Sequence, residues 1–495
     1  MSAIHISDLT FSYENHHETI FDHASFQFDT NWKTGLIGRN GRGKTTLLHL
    51  LMNRYPYRGS IRADTAFTYY PFTIQDETLT TAEAAREFLG THEEWEFIRE
   101  LSLLGVREAL IDRPFSTLSP GEQTKVRLAL LFLQDETFAL IDEPTNHLDF
   151  EGRKLLAAYL KTKKGFLLVS HDRAFLDACV DHILVLKKHS IGVFSGNFSS
   201  WWESDRAQEA FEISENQKLQ KEIRKLEGAA RQAQTWADQT EAGKHKAPAS
   251  GLRVDTGFVG HKSAKMMQRS KNLLARRERA VRETASLLKE VETTEDLRLF
   301  PLRHHAATLA SFQGVSISYG SHELLSSLSF TIEPGERISL RGRNGSGKSS
   351  IMKLLCGTNA PDMTYTGQLS TASQLVISYI SQDTSHLHGT LTEFAETRQL
   401  DLTLLLTLLR KLDMPRVQFT KNLQDFSEGQ KKKVLLASSL VHPAHLYIWD
   451  EPLNYIDLYS RMQMEALLLS FPLTLLFVEH DSAFTENIAT KTIYL

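Results

Sequence analysis

Apolar residues along this chain fall into short, nearly continuous runs that alternate with stretches of helical spacing, in two long segments with a differently patterned one between them. In residues 1–200, WKTGLIG (32–38), FALIDE (138–143) and FLLVSHD (166–172) have the composition of parallel strands buried on both faces. KTTLLHLLM (44–52) and TKVRLALLF (124–132) have the spacing of helices leaving polar turns. Residues 311–495 repeat the plan with RISLRG, LYIWDE and TLLFVEHD. Strands alternating with helices predict two α/β domains, each built on a mostly parallel sheet.

The segment at 203–298 reads differently. It is rich in Glu, Lys, Arg, Gln and Ala, and its apolar residues keep a helical period. Leu219, Ile223, Leu226, Ala230 and Ala233 line one face, and Met267, Leu274, Val281 and Leu288 recur every seven residues. The stretch TEAGKHKAPASGLRVDTGFVG (240–260) interrupts them with Gly, Pro and Ser. The pattern predicts two helices of about 35 residues, each spanning about 50 Å, paired antiparallel as a hairpin. The domain organisation is therefore expected to be 1–200, a helical hairpin over 201–300 with its tip at about 240–262, and 301–495.

Composition changes this picture in one respect. A 495-residue chain with 41% apolar and 23% charged residues is ordinary for globular domains. The sequence holds no apolar run long enough for a membrane span and no signal-peptide plan at its start, so no membrane domain is expected. Its two cysteines, Cys179 and Cys356, lie in different repeats, which fits a reducing, cytoplasmic setting. The net charge of −4, however, hides an asymmetry. Between Lys218 and Arg282 sixteen Lys/Arg face six Asp/Glu, a local charge of +10 that leaves −14 for the rest. A basic middle joined to acidic flanks points to a polyanionic partner.

The chemistry lies in the two flanks. GRNGRGKT (38–45) and GRNGSGKS (342–349) each fit G-x-x-x-x-G-K-[ST], a strand-to-helix turn whose backbone N–H groups cradle phosphates. The candidate phosphate residues are Gly38, Asn40, Gly41, Gly43, Lys44, Thr45 and Thr46, then Gly342, Asn344, Gly345, Gly347, Lys348, Ser349 and Ser350. Lys44 and Lys348 would reach the β/γ-phosphates, with Thr45 and Ser349 offering a hydroxyl to Mg²⁺. LSPGEQ (118–123) and FSEGQ (426–430) open helices and present a hydroxyl and backbone donors to an anion, which gives the candidates Ser119, Gly121 and Gln123, and Ser427, Gly429 and Gln430. Gly38 recurs as Gly342, Gln75 as Gln382, Ser119 as Ser427, Asp142 as Asp450 and His171 as His480, offset by about 304 to 309 positions. The chain is a duplicated unit.

These landmarks, in this order in each half, resemble the nucleotide-binding domains of the ATP-binding-cassette superfamily over nearly all of 1–200 and 311–495. The resemblance implies head-to-tail pairing, so that one ATP lies between Lys44 and Ser427 and the other between Lys348 and Ser119. It also implies that Asp142 and Asp450 hold Mg²⁺, and that Glu143 and Glu451 polarise the attacking water. His171 and His480 would contact the γ-phosphate, Gln75 and Gln382 would sense Mg²⁺ and water, and Tyr13 and Tyr319 would stack on adenine. The implied cofactors are ATP and Mg²⁺.

Tandem domains fused through a charged hairpin resemble the ABC-F branch. DEPTNHLD (142–149) and DEPLNYIDL (450–458) are similar to its antibiotic-resistance members of the Lsa/Vga type. So are GFVGHKSAKMMQRSKN (257–272), the short insertion between Gln75 and Ser119, and an end at Leu495 without a basic tail. For such a protein the partners are the 70S ribosome, entered at the tRNA exit site and contacted at large-subunit rRNA, and P-site tRNA. DNA is not among them, and a monomer closes its own two domains. The function implied is protection from lincosamides, streptogramin A and pleuromutilins. The rival reading is a housekeeping ABC-F translation factor without a drug role. Trp236, Lys244, His245, Lys246, Arg253, Phe258, His261 and Lys262 are the tip residues placed to meet RNA. Leu453 stands where the first half has Thr145, which predicts two unequal ATP sites.

Overall fold

The structure, a computed structural model, describes residues 3–13, 19–90, 94–134, 136–187, 190–243, 299, 301–358 and 361–495. Spatial contacts divide the chain into Met1–Trp201 with Asp296–Leu495, which holds both α/β halves, and Trp202–Glu295.

In the first half, β1 (Ala3–Ser12), β2 (Thr19–Asp29) and β4 (Arg58–Arg62) form an antiparallel sheet in the order β2-β1-β4. The core sheet takes β3 (Lys33–Gly38), β5 (Ala66–Tyr70), β6 (Thr137–Asp142), β7 (Phe166–Val169), β8 (His182–Leu186) and β9 (Ile191–Ser195) in the order β5-β6-β7-β3-β8-β9. It is parallel except for β9. All four residues of FLLV are buried, as the unbroken apolar run required. The second half repeats both sheets. β10 (Ala310–Tyr319), β11 (His322–Ile332) and β13 (Met363–Thr371) form the antiparallel one. β12 (Arg337–Arg341), β14 (Ile377–Ile380), β15 (Leu446–Asp450), β16 (Leu475–Val478) and β17 (Lys491–Tyr494) form a parallel sheet ordered β14-β15-β16-β12-β17. In both halves β3 or β12 is an inner strand parallel to β6 or β15, so the phosphate loop that follows it and the acidic residues at the end of β6 or β15 emerge at the same edge.

Gly43 and Gly347 start the helices Lys44–Leu51 and Lys348–Cys356 with φ of 87° and 93°. A Cβ on Gly43 would lie 2.5 Å from Ile20 Cγ2, so only glycine fits there.

The middle segment begins with a longer element than its composition predicted. One helix runs from Phe198 to Gly243, 46 residues or about 69 Å, instead of about 35 residues. Its first turn enters the α/β unit, because Phe198 and Trp201 are buried and Trp201 packs edge-on against Tyr459 at 6.3 Å. The expected tip residues from Lys244 to Lys262 and the returning helix lie outside the described residues, as does the side chain of Trp236.

Candidate nucleotide sites

The two phosphate loops are built alike. Lys44 Nζ donates to the carbonyls of Gly38 (2.8 Å) and Arg39 (3.3 Å), and Lys348 Nζ to those of Gly342 (2.9 Å) and Arg343 (2.8 Å). Thr45 Oγ1 donates to Asp142 Oδ2 at 2.7 Å, and the Ser349 hydroxyl bonds Asp450 in the same way. Each hydroxyl thus lies beside the carboxylate that ends the next strand but one, at the sheet edge that topology created. The aspartate–glutamate pairs follow β6 and β15, and both glutamates are left-handed, at φ 50° for Glu143 and 47° for Glu451.

The partner elements come from the opposite domain. Ser119 and Ser427 are the N-caps of Pro120–Phe132 and Glu428–Val441, in capping boxes closed by Glu122 and Gln430. A cavity of about 1040 Å³ is lined by Ser119, Gly121 and Glu122 of the first domain and by Lys348, Gln382, Glu451 and His480 of the second. This is the pairing of Lys348 with Ser119 that the resemblance implied. At the other site, Asn40 Nδ2 donates to the Tyr455 carbonyl at 3.2 Å, and a Cβ on Gly429 would meet that same carbonyl and Asn40. The phosphate loop of the first domain therefore faces the Ser427 turn of the second.

The two candidate bases differ. Burial pushes the Glu143 carboxyl up to about 8, and the neighbouring Asp142 charge adds to the shift. Burial would also raise Glu451, but the hydrogen bond and charge of His480, a bond from Asn454 and the charge of Lys348 outweigh it and hold the carboxyl below its ordinary value. His480 Nε2 lies 3.2 Å from Glu451 Oε1, and Asn454 Nδ2 donates to Oε2 at 2.8 Å. In the first domain His171 Nε2 stands 3.4 Å from Glu143 Oε1. Burial and the nearby Lys44 and Arg461 charges push the His171 pKa well down, so this imidazole is neutral.

The expected adenine platforms also diverge. Tyr319 lines the cavity, with its hydroxyl 3.0 Å from Ser350. Tyr13 makes the equivalent contact to Thr46 but packs edge-on against Phe11 and Tyr55. Gln382 lies in the cavity wall, whereas Gln75 is exposed on a loop three residues longer, counted from Tyr69 and Tyr379. Gln123 turns away: its amide donates to the Phe115 and Leu118 carbonyls, and Glu122 occupies the position of Gln430.

Several residues here escaped the sequence reading. Tyr69 OH donates to Asp142 at 3.3 Å, and Tyr379 feels Asp450 from the equivalent place. Lys433 donates to Asp457 Oδ2 at 2.9 Å, both fully buried, and that charge holds the Asp457 carboxyl well below its usual range against the effect of burial. Lys125 and Asp149, the counterparts, line the cavity. The identical six-residue step from Glu143 to Asp149 and from Glu451 to Asp457 was the signal available.

A phosphate loop in one domain opposed to a capped Ser-x-Gly helix in the other, twice, defines an ATP-binding-cassette ATPase. The family model for ABC transporters matches residues 21–146 and 325–454, once per domain, and the chain belongs to that family of ATP-hydrolysing domains. The ribosome protection protein VmlR of Bacillus subtilis (strain 168) is 29% identical over 493 residues, spanning 98% of this chain and 85% of VmlR. The probable ATP-binding protein YheS of Escherichia coli (strain K12) is 27% identical over 527 residues, spanning 96% of this chain and 76% of YheS. These relatives agree with the ABC-F resemblance and do not single out the Lsa/Vga group. Among solved structures, the archaeal ribosome recycling factor aABCE1, in complex with the stalk protein aP1, shares the fold with a TM-score of 0.60 at 18% identity, over 94% of this chain and 83% of that one. Among the described residues, no helix is long and apolar enough to cross a membrane.

Proposed function

We propose that this chain is an ABC-F ATPase that enters the tRNA exit site of the 70S ribosome and protects the large subunit from lincosamides, streptogramin A and pleuromutilins. The observation that carries the reading is the end-to-end match, over 98% of the chain, to a ribosome protection protein. The +10 charge of Lys218–Arg282 supports it, since clustered cations bind RNA phosphates by releasing counterions.

In this reading ATP in each site joins the two domains, because its phosphates lie on one domain's loop and meet the capped helix of the other. Glu451, ionised and held by His480 and Asn454, is the base that orients water. Glu143 is the counterpart in the first domain, with its carboxyl raised by burial and by the Asp142 charge. The residues fit Mg²⁺: Asp450 Oδ1 is buried without a hydrogen-bond partner next to Ser349, an oxygen-donor pair suited to a hard cation, and Thr45 with Asp142 is its counterpart. Bound there, the ion would neutralise phosphate charge. The basic segment, with its tip at about 240–262, would reach toward the peptidyl-transferase centre and displace or remodel P-site tRNA. Such a protein works in the cytoplasm as a monomer.

Susceptibility to lincomycin, tiamulin and an oxazolidinone, measured with and without the chain expressed, tests the proposal. Resistance to the first two alone supports it. Unchanged susceptibility together with salt-sensitive pelleting with ribosomes favours the housekeeping reading, which the similarity to YheS keeps open.

A further inference from the structure

We propose that Glu479 is a positioning residue of the second domain: it holds the loop that carries Glu451 through the Leu453 backbone N–H, where the first domain has Ser170. The inference rests on the assignment of Glu451 as the base.

Three substitutions separate the halves around this loop. Where the first domain has Thr124, Thr145 and Ser170, the second has Lys432, Leu453 and Glu479. The first-domain trio is neutral and locally bonded. Thr124 accepts from Tyr70 OH at 3.3 Å, and Ser170 Oγ accepts from the Asp172 N–H at 3.2 Å. Among the described residues, neither side chain hydrogen-bonds the loop after Glu143.

In the second domain Glu479 Oε1 accepts the Leu453 N–H at 2.7 Å, and Oε2 accepts the His480 N–H at 3.3 Å. One carboxylate therefore ties together the segment two residues after Glu451 and the histidine that bonds Glu451. Leu453 is fully buried, so an unpaired N–H there would carry the whole desolvation cost. Glu479 is buried as well, and the charges around it come from three elements. Lys432 and Arg461 attract it, while Glu451 and Asp481 repel it. Lys432 Nζ donates to the Ser381 carbonyl at 3.2 Å, next to Gln382 in the cavity wall. The network thus touches the glutamine loop, the helix capped by Ser427, the loop after Glu451 and the switch histidine.

Glu451 and Glu143 both sit in the left-handed region, a conformation that a non-glycine residue keeps only when its surroundings over-determine it, and in the second domain the Glu479 carboxylate is part of those surroundings. Leu453 lacks the hydroxyl of Thr145, and the Glu479 carboxylate bonds this loop through its backbone.

The experiment uses the full chain with site 1 silenced by E143Q, so that steady-state ATP hydrolysis reports site 2. Glu479→Ser, which installs the first-domain residue, should lower kcat about tenfold or more while KM for ATP stays within about twofold, because a displaced base affects the chemical step and not binding. Glu479→Gln keeps an oxygen for the Leu453 N–H and should retain most of kcat. Lys432→Thr combined with Glu479→Ser installs a neutral pair that the first domain already accommodates. It should fold, with a thermal midpoint near the parent's, and show the same low kcat. An unchanged kcat in that double variant, or an equal loss in Glu479→Gln, overturns the proposal. The E143Q/E451Q chain should be inactive, and residual hydrolysis there would instead indict the assignment of the bases.

Discussion

The two ATP sites have the same phosphate loops, capped helices and aspartate–glutamate pairs, yet the domains are joined differently: by arginine–carboxylate bonds beside the first and by Arg341 over the Phe150 ring, at 5.1 Å, beside the second. Arg39, in the first phosphate loop, bonds Asp413 of the other domain at 2.5 Å and lies over the Tyr459 ring, on which Trp201 of the long helix also packs. Arg173, two residues after His171, grips Glu465 of the second domain with both terminal guanidinium nitrogens. The counterparts at the second site are Arg343 opposite Gly105, and Ser482 with Ala157, so neither pair has a carboxylate to meet. The large cavity lies at that second site. Two ion pairs thus hold the first site, and the second is joined by the cation–π contact beside the cavity.

The base is the sharpest place to break the comparison. E451Q should remove most of the observed hydrolysis and E143Q much less, since His480 and Asn454 favour the Glu451 anion whereas burial disfavours that of Glu143. The double variant should lose about 10²- to 10⁴-fold, as expected when a positioned base is removed. Equal losses from the two single variants, measured as ATP turnover, would mean that the sites work alike.

Breaking the buried fastener comes next. Arg173 and Glu465 are about 11% and 8% exposed, and Glu465→Ala leaves a buried guanidinium unpaired. Such losses cost about 3–5 kcal/mol, so site 1 should release a fluorescent ATP analogue far faster than in the parent. Asp413→Ala removes a more exposed partner and should cost only about 1 kcal/mol, seen as a modest rise in the same rate. If the Asp413 variant exceeded the Glu465 variant, the order of the fasteners would be reversed.

The smallest effect is in pH. Burial raises the Glu479 carboxyl to about 7, despite Arg461 and the Leu453 N–H, whereas the unfolded chain has an ordinary glutamate. The folded state therefore holds a proton that the unfolded state has released between about pH 4.5 and 7, and this contribution to stability falls as pH rises through that window. Above it the charged group is simply a buried cost. Glu479→Gln should flatten the decline of the thermal midpoint between pH 5 and 8, and an unaltered slope would show that Glu479 is not the group titrating.

The repeated strand–loop–helix plan was legible because its signals are local. Gly43 and Gly347 mark left-handed turns, Ser119 and Ser427 mark caps, and the runs before Asp142 and Asp450 mark buried strands. Each is a short-range backbone requirement that one residue type satisfies. Gln123 was misread because the sequence shows the letters of the turn but not which letter completes the capping box, a place Glu122 takes. Tyr69 and Tyr379 gave no signal, since an aromatic residue in a buried strand is ordinary until the fold puts its hydroxyl beside the carboxylate of the next strand.

By itself, then, the sequence determined two α/β nucleotide-binding halves, their phosphate loops and carboxylates, and a basic helical segment between them, because hydrophobic period and turn chemistry act over a few residues. Only the tertiary structure decided that Arg39 meets Asp413, that burial raises Glu143 while His480 and Asn454 hold Glu451 low, and that Glu479 reaches Leu453. Those outcomes depend on burial and on charges brought together from positions tens to hundreds of residues apart, and no local pattern encodes that distance.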